Sequence, residues 1–468
     1  MSYQKSGIDI PFTSGFGLSR SRQFSARELV NYRVNVGVGL SPENLYQTEG
    51  LEELVAPLAD APCRGSHTMN GKPYFVIGTT LYRLDQTINP DLTVTWSTVS
   101  LGTVLGSDRV VMDSIWTSTG YEMAIVDPGS YAYGYREADG SITDLTTLSN
   151  FLSPVDDVRS INGFLVFSQT DTNKVFHSNL NNILTYNALD FELVTRITKV
   201  VGLEVWRGQL YIFGENETLP YTFIGGANFV FQYQPNSTLP GGCVNQYVKT
   251  TTGRAFYYLG GEDHEAPAVW ASSGGFPEKI STEEIDYIIR GEPLIDSAFM
   301  QDFSIDGGKY VALHIGGNCF VYDTLTGRWH TRDSDGPWRA NTIVKAYNRL
   351  ITGDSKDGRI GELSNKDQEY GVPVNRYFVT QPFDANGRYI QVASVMLAMD
   401  VGFNGEMTMS YSDDGLTWSQ PIIREAGKIG EYGRAVRWDR LGTASFSRMF
   451  RFGTSSGVQA NVNKVIAL

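Results

Sequence analysis

The chain has 468 residues, 41% of them hydrophobic and 12% aromatic, with 49 glycines; this composition can bury sizeable cores and suits strands joined by tight turns. No apolar run reaches ~18 residues, which excludes a helical membrane span, and three widely spaced cysteines, Cys63, Cys243 and Cys319, argue against a disulfide framework and read as small buried thiols. The net charge of −13 is uneven, with +3 in residues 1–40, +5 in residues 421–468 and −21 between them; such a middle would not grip phosphates, and it reads first as an acidic soluble surface and second as the lining of a passage in which DNA does not stick.

The first residues, MSYQKSGIDIPFTSGFG, lack the charged-then-apolar profile of a secretion signal, so residence in a cytoplasm is expected. Residues 1–54 are rich in Arg, Asn and Gly and read as an extended N-terminal arm that ends in a ring-closing strand. From residue 55 a loose repeat sets in: a turn with Gly or Asn, an apolar strand, a second turn, another strand. Its copies begin NGKPYFVIG (70–78), STGYEMAIVD (118–127), INGFLVF (161–167), WRGQLYIFG (206–214), TGRAFYYLG (252–260), GGKYVALHI (307–315) and AYNRLITGD (346–354). They start roughly 40–55 residues apart, the period of propeller blades. Each reads as the inner hairpin of a blade, its first strand buried on both faces. Six or seven such blades fill residues 55–365.

One helix interrupts them. STEEIDYIIRGE (281–292) offers Ser281 and Glu284 as a capping box, Ile285, Ile288 and Ile289 as one apolar face, and Gly291 as a stop. Beyond residue 366 the rhythm changes to long alternating strands, as in VPVNRYFVTQPF and GEMTMSYSDDGLTW, which predict a β-sandwich over 366–468. The expected fold is therefore all-β: a β-propeller of six or seven blades followed by a C-terminal β-sandwich domain, with an extended N-terminal arm.

No constellation carries chemistry. SYSDDGLTW (410–418) contains D-x-G-x-T-W, most of the Asp-box turn of sialidase-type propellers. Tyr411 stands where that motif places Ser, no second copy exists, and Asp414-Gly415 reads as a hairpin turn. Glu262, Asp263, His264 and Glu265 read as a solvated loop tip, and His314 with Cys319 lacks the two further ligands of a zinc site. GFGLSR near Gly15 places Arg20 where a dinucleotide fingerprint needs its third glycine. G-x-S-x-G and H-E-x-x-H are absent. No catalytic residue, metal or cofactor is expected.

Three stretches carry a resemblance. NYRVNVGVGLSPENLYQTEGLEELV (31–55) holds Asn35 and the run Thr48, Glu49, Gly50, Leu51. VVGLEVWRGQLYIFGENETLPYTFIGGANFVFQ (200–232) holds Gly202, Trp206, Arg207, Phe213, Gly214 and Glu217. RAVRWDRLGTASFSRMFRF (434–452) holds Trp438, Arg440, Leu441, Gly442, Arg448 and Arg451. In order and spacing they resemble the packaged-DNA stabilisation proteins, the tail hubs or tail accessory factors of short-tailed, podovirus-type bacteriophages, over nearly the whole chain. The resemblance implies a non-enzymatic virion protein of the tail, assembled in the host cytoplasm without a membrane anchor. It implies a homohexamer, a ring below the portal and the adaptor (head-to-tail) ring. That ring extends the DNA exit channel, closes it with a tail needle or plug, stabilises packaged DNA and supports tailspikes or fibres. Double-stranded DNA would pass through it without sequence-specific binding.

A closed ring needs one patch to meet a different one, and basic ends against an acidic middle supply such complementarity. Arg20, Arg22, Arg27 and Arg33 in the arm, and Arg437, Arg440, Arg448 and Arg451 near the C-terminus, are the candidate subunit or partner interface. The alternative is a glycan-binding or glycan-cleaving propeller, a receptor-binding tail protein.

Overall fold

A computed structural model describes residues 7–384 and 388–468. Seven four-stranded antiparallel units follow one another around a ring. Their innermost strands are Cys63–Met69, Val111–Thr117, Val155–Ile161, Gly202–Trp206, Lys249–Thr251, Phe299–Ile305 and Ala340–Ala346, and they define blades 1 to 7. Blade 7 is completed from the other end of the chain: Gly50–Val55 pairs antiparallel with Ile360–Ser364. The ring closes where Asn341 of blade 7 donates to the Cys63 carbonyl of blade 1 at 2.7 Å and Thr68 donates to the Lys345 carbonyl at 3.0 Å.

The apolar repeats of the sequence are not the inner hairpins. They are the second and third strands of each blade, such as Phe164–Gln169 with Lys174–His177 and Gln209–Phe213 with Glu217–Phe223. The reason is burial. A second strand is sandwiched between neighbouring blades on both faces, so Phe164, Leu165, Val166 and Phe167 are all buried. An innermost strand turns one face to the central channel and keeps polar residues there, as in VDDVRSI (155–161). Asn-Gly turns join first to second strands. Asn70 and Gly71 both have positive φ (51° and 70°), the backbone of a type I′ hairpin. Arg207 accepts the same strained position in blade 4, with φ 51°, and its guanidinium lies 4.3 Å over Trp206.

The helix forms over Glu283–Gly291, but the capping box does not. Thr282 is the N-cap and makes no side-chain cap bond. Ser281 instead accepts from the Val269 N–H at 3.0 Å and donates to Asp286 at 2.5 Å, tying the helix to blade 5. Ile285 and Ile289 are buried and Ile288 packs beside them.

Two further sheets face each other as a sandwich. One joins Val436–Asp439, Ser394–Met399, Val462–Ala467, Glu43–Gln47 and Tyr32–Val36. The other joins Arg376–Val379, Ser447–Thr454, Glu406–Ser412 and Ile422–Glu425. The N-terminal stretch thus supplies strands to the sandwich as well as the ring-closing strand. Ile10, Phe12, Leu29, Tyr32, Val34 and Leu45 lie in the same core as Trp438, Phe450 and Phe452. Leu29–Val30 pairs parallel with blade 6 through Thr331 and antiparallel with Arg376–Val379. One ten-stranded sheet therefore runs from the propeller into the sandwich.

Candidate partner interfaces and the propeller channel

The eight arginines singled out from the sequence fall into two groups. Four are engaged within the chain. Arg448 is buried and bidentate on Asp413 (2.6 and 2.9 Å), with further bonds to the Leu441 and Thr443 carbonyls. Arg33 reaches Glu49 and Asp306, both at 3.1 Å, and donates to the Tyr310 hydroxyl. Burial would lower its pKa, but Glu49, Tyr310 and Asp306 outweigh that and raise it. Arg27 donates to Ser25 and to the Ser14 carbonyl, and burial lowers its pKa. Arg451 bonds Glu28 at 3.0 Å and lies 4.2 Å over Trp418. Arg22 is half-buried. Arg20, Arg437 and Arg440 are exposed. Arg20 meets the helix through Glu283 and the Tyr287 ring, and Arg437 meets Asp439 at 2.6 Å.

The junction of propeller and sandwich is polar and closely built. Asn31 adopts φ 55°. Its side chain donates to the Asp333 and Asn375 carbonyls at 2.7 and 2.8 Å and accepts from the Asp333 N–H at 3.1 Å. Glu49 sits between Arg33 and Arg332, and Arg332 also donates to the Glu49 carbonyl at 2.6 Å while lying 4.5 Å from the Trp338 ring centre. Gly50 is required beside it, because a Cβ there would stand 2.1 Å from the Gln368 carbonyl oxygen. The Thr48-Glu49-Gly50-Leu51 run of the sequence is therefore the seam between the two halves. Asn31, Arg332 and the fully buried Arg376 carry no sequence signal; only their long-range partners reveal them.

The central channel is lined by the innermost strands and widens into a cavity of about 480 Å³. Its charged groups link one blade to the next. Asp157 of blade 3 accepts from the Leu203 N–H of blade 4 and from Lys249 of blade 5, both at 2.7 Å. Arg159 pairs with Asp157 and reaches Glu204. Asp113 of blade 2 accepts from the backbone and hydroxyl of Ser160 at 2.8 Å. Thr250 donates to Asp302 at 2.8 Å, and burial pushes the Asp302 carboxyl up to about 6. His314 stacks on Phe299 with centroids 4.1 Å apart. Burial, aided by the charge of Arg109, pushes it down to about 3, so it is a neutral acceptor for Gln301 at 2.9 Å.

The remaining sequence candidates are structural. In SYSDDGLTW, Asp414 accepts from the Leu416 and Thr417 amides at 2.8 and 2.7 Å, which hold its carboxyl at about 2. Asp413 is the Arg448 partner. The stretch links Glu406–Ser412 to Ile422–Glu425 as a hairpin of the sandwich. Cys319 lies 3.7 Å from His314 Nε2 in the core, and no His, Cys, Asp or Glu cluster able to hold a metal ion occurs among the described residues.

Two family models match in tandem. The phage stabilisation model described as Bacteriophage P22 Gp10, β-propeller, covers residues 8–368, and that described as Bacteriophage P22 Gp10, β-sandwich, covers residues 375–467. Together they define a bacteriophage structural protein built as a propeller followed by a sandwich. The chain belongs to the Bacteriophage P22 Gp10 family. No curated protein matches it. Similar solved structures include PorZ, a surface component of the type-IX secretion system of Porphyromonas gingivalis. It is 10% identical with a TM-score of 0.39, over 80% of this chain and 46% of that one. Another is the extracellular domain of a one-component system of B. thetaiotaomicron, 12% identical with a TM-score of 0.43, over 85% and 48%. The chain spans about half the length of both, and scores this low carry no weight for function.

Proposed function

We propose that the chain is the subunit of a phage tail hub, a homohexameric ring below the portal and adaptor. The ring extends the DNA exit channel, closes it together with a needle or plug, and so keeps packaged DNA in place. It supports tailspikes or fibres, acts without catalysis, and is assembled in the host cytoplasm before it joins the virion. The observation that carries this reading is the tandem family match over both halves of a chain. One sheet running through both halves supports it, since a ring that resists pressurised DNA needs subunits that do not hinge internally. The division is proposed as 1–54, 55–365 and 366–468, with the first segment acting as a seam between the other two. Exposed Arg20, Arg437 and Arg440 are proposed for direct subunit or partner contact, and the arginines engaged within the chain for holding the surfaces that carry them.

Electron-microscopic class averages of the purified protein with the adaptor ring test this. A six-fold ring with an axial opening and an acidic lumen is expected. A trimer with a carboxylate pair in an aromatic cleft, or a lumen dominated by Lys and Arg, overturns it.

A further inference from the structure

We propose that the cavity of the propeller channel is a binding site for a compact carboxylate- or phosphate-bearing anion, held by Arg109. The guanidinium of Arg109 lies over the Phe299 ring with its carbon 3.5 Å from the centroid. Its Nη2 donates to the Asn341 carbonyl at 2.5 Å and to Asn341 Oδ1 at 3.3 Å. Among the described residues its Nε and Nη1 make no hydrogen bond, and no carboxylate pairs with it. The other cations of the channel are different. Lys249 and Arg159 are neutralised by Asp157 and Glu204. Among the described cations of this cavity, Arg109 is the one without a carboxylate partner.

The site is built before any ligand arrives. The loop carrying Arg109 is stapled by Arg64, which donates to the Asp108 carbonyl at 2.7 Å and to the Val104 carbonyl at 3.2 Å and is itself anchored by Asp127 at 2.6 Å. The Tyr247 hydroxyl of blade 5 donates to the Arg109 carbonyl at 2.6 Å. Asn341 Nδ2 donates to the Cys63 carbonyl, which leaves Oδ1 for Arg109. Contacts from blades 1, 5, 6 and 7 thus fix one guanidinium in one plane, with two donors facing the cavity.

That arrangement fits an oxyanion. A planar fork with free donors recognises carboxylate and phosphate oxygens, and charge-assisted bonds of this kind are the strong ones. Burial pushes Arg109 down to about 10; it stays protonated at neutral pH, and an incoming anion would offset the desolvation already incurred. Ser66 and Gln246 line the same cavity and offer a hydroxyl and an amide to further oxygens. Its volume, about 480 Å³, lies in the range of small-molecule sites. Asp113 and Glu204 line it too, which keeps a ligand's negative end at Arg109. The proposal does not depend on the tail-hub reading.

Calorimetric titration of the full chain with inorganic phosphate, and separately with citrate, at low ionic strength is the test. Saturable binding of one anion per chain is expected for at least one probe; phosphate alone or citrate alone tells which oxyanion the site prefers. Arg109→Gln should weaken it at least tenfold and Arg424→Gln, at an exposed position of the sandwich, should leave it unchanged. Arg109→Lys keeps the charge but loses the fork, so an intermediate loss is expected, and this variant decides the matter if Arg109→Gln does not fold. Saturation by neither probe, or wild-type titration by the Arg109 variants, overturns the proposal.

Discussion

At the scale of single residues, charge read from the sequence said how much there is but not where it is used. The basic ends were legible as +3 and +5. That Arg448 is buried on Asp413 while Arg440 is exposed was not, because the pairing depends on which strand lies beside which. Burial has a consequence for pH that follows from Asp302. Its folded pKa is about 6, above the ~3.9 of an unfolded aspartate. Below pH 4 both states hold the proton and no stability is lost. Between about pH 4 and 6 the unfolded state gives up its proton while the folded state keeps it, so stability falls across that window and levels off once the desolvated carboxyl ionises above 6. Asp302→Asn mimics the protonated form. It is expected to match the wild type at pH 4 and to be more stable at pH 8 by about 2 kcal/mol, read from urea unfolding at the two pH values. Equal differences at both would show that the carboxyl is not desolvated.

At the scale of elements, the propeller was legible because its second strands are apolar on both faces and recur with a fixed period. Their place in the blade was misread, since an innermost strand such as Lys249–Thr251, KTT, is too short and polar to stand out. The pairing of Glu43–Gln47 with Val462–Ala467, roughly 400 residues away, left no local trace. The helix was legible and its cap was not, because Ser281 had a better partner in the neighbouring blade. The seam itself can be probed at Gly50. Gly50→Val would drive side-chain atoms into the Gln368 carbonyl at the point where blade 7 closes. Backbone cannot give way as a flexible side chain does, so a loss of about 2–3 kcal/mol is expected, measured by chemical denaturation. A loss below about 0.5 kcal/mol would mean that the seam is looser than its geometry.

At the scale of the whole molecule, the ten-stranded sheet makes a claim about cooperativity. Propeller and sandwich have separate apolar cores, and two cores alone would allow two unfolding steps. Yet Leu29–Val30 is hydrogen-bonded into both, and Asn31 bonds Asp333 on one side and Asn375 on the other. Losing either half strips partners from the other, so the intact chain should unfold in one calorimetric transition. Val30→Pro removes a backbone donor and disfavours extended pairing in the middle of the seam without touching the apolar centre of blades 1 to 5. It is expected to split the endotherm, with the sandwich melting first because its two sheets draw core residues from the N-terminal strands. A single unsplit transition in Val30→Pro would place the coupling elsewhere, in the Arg33, Glu49 and Arg332 cluster, where loss of one charge strands the others.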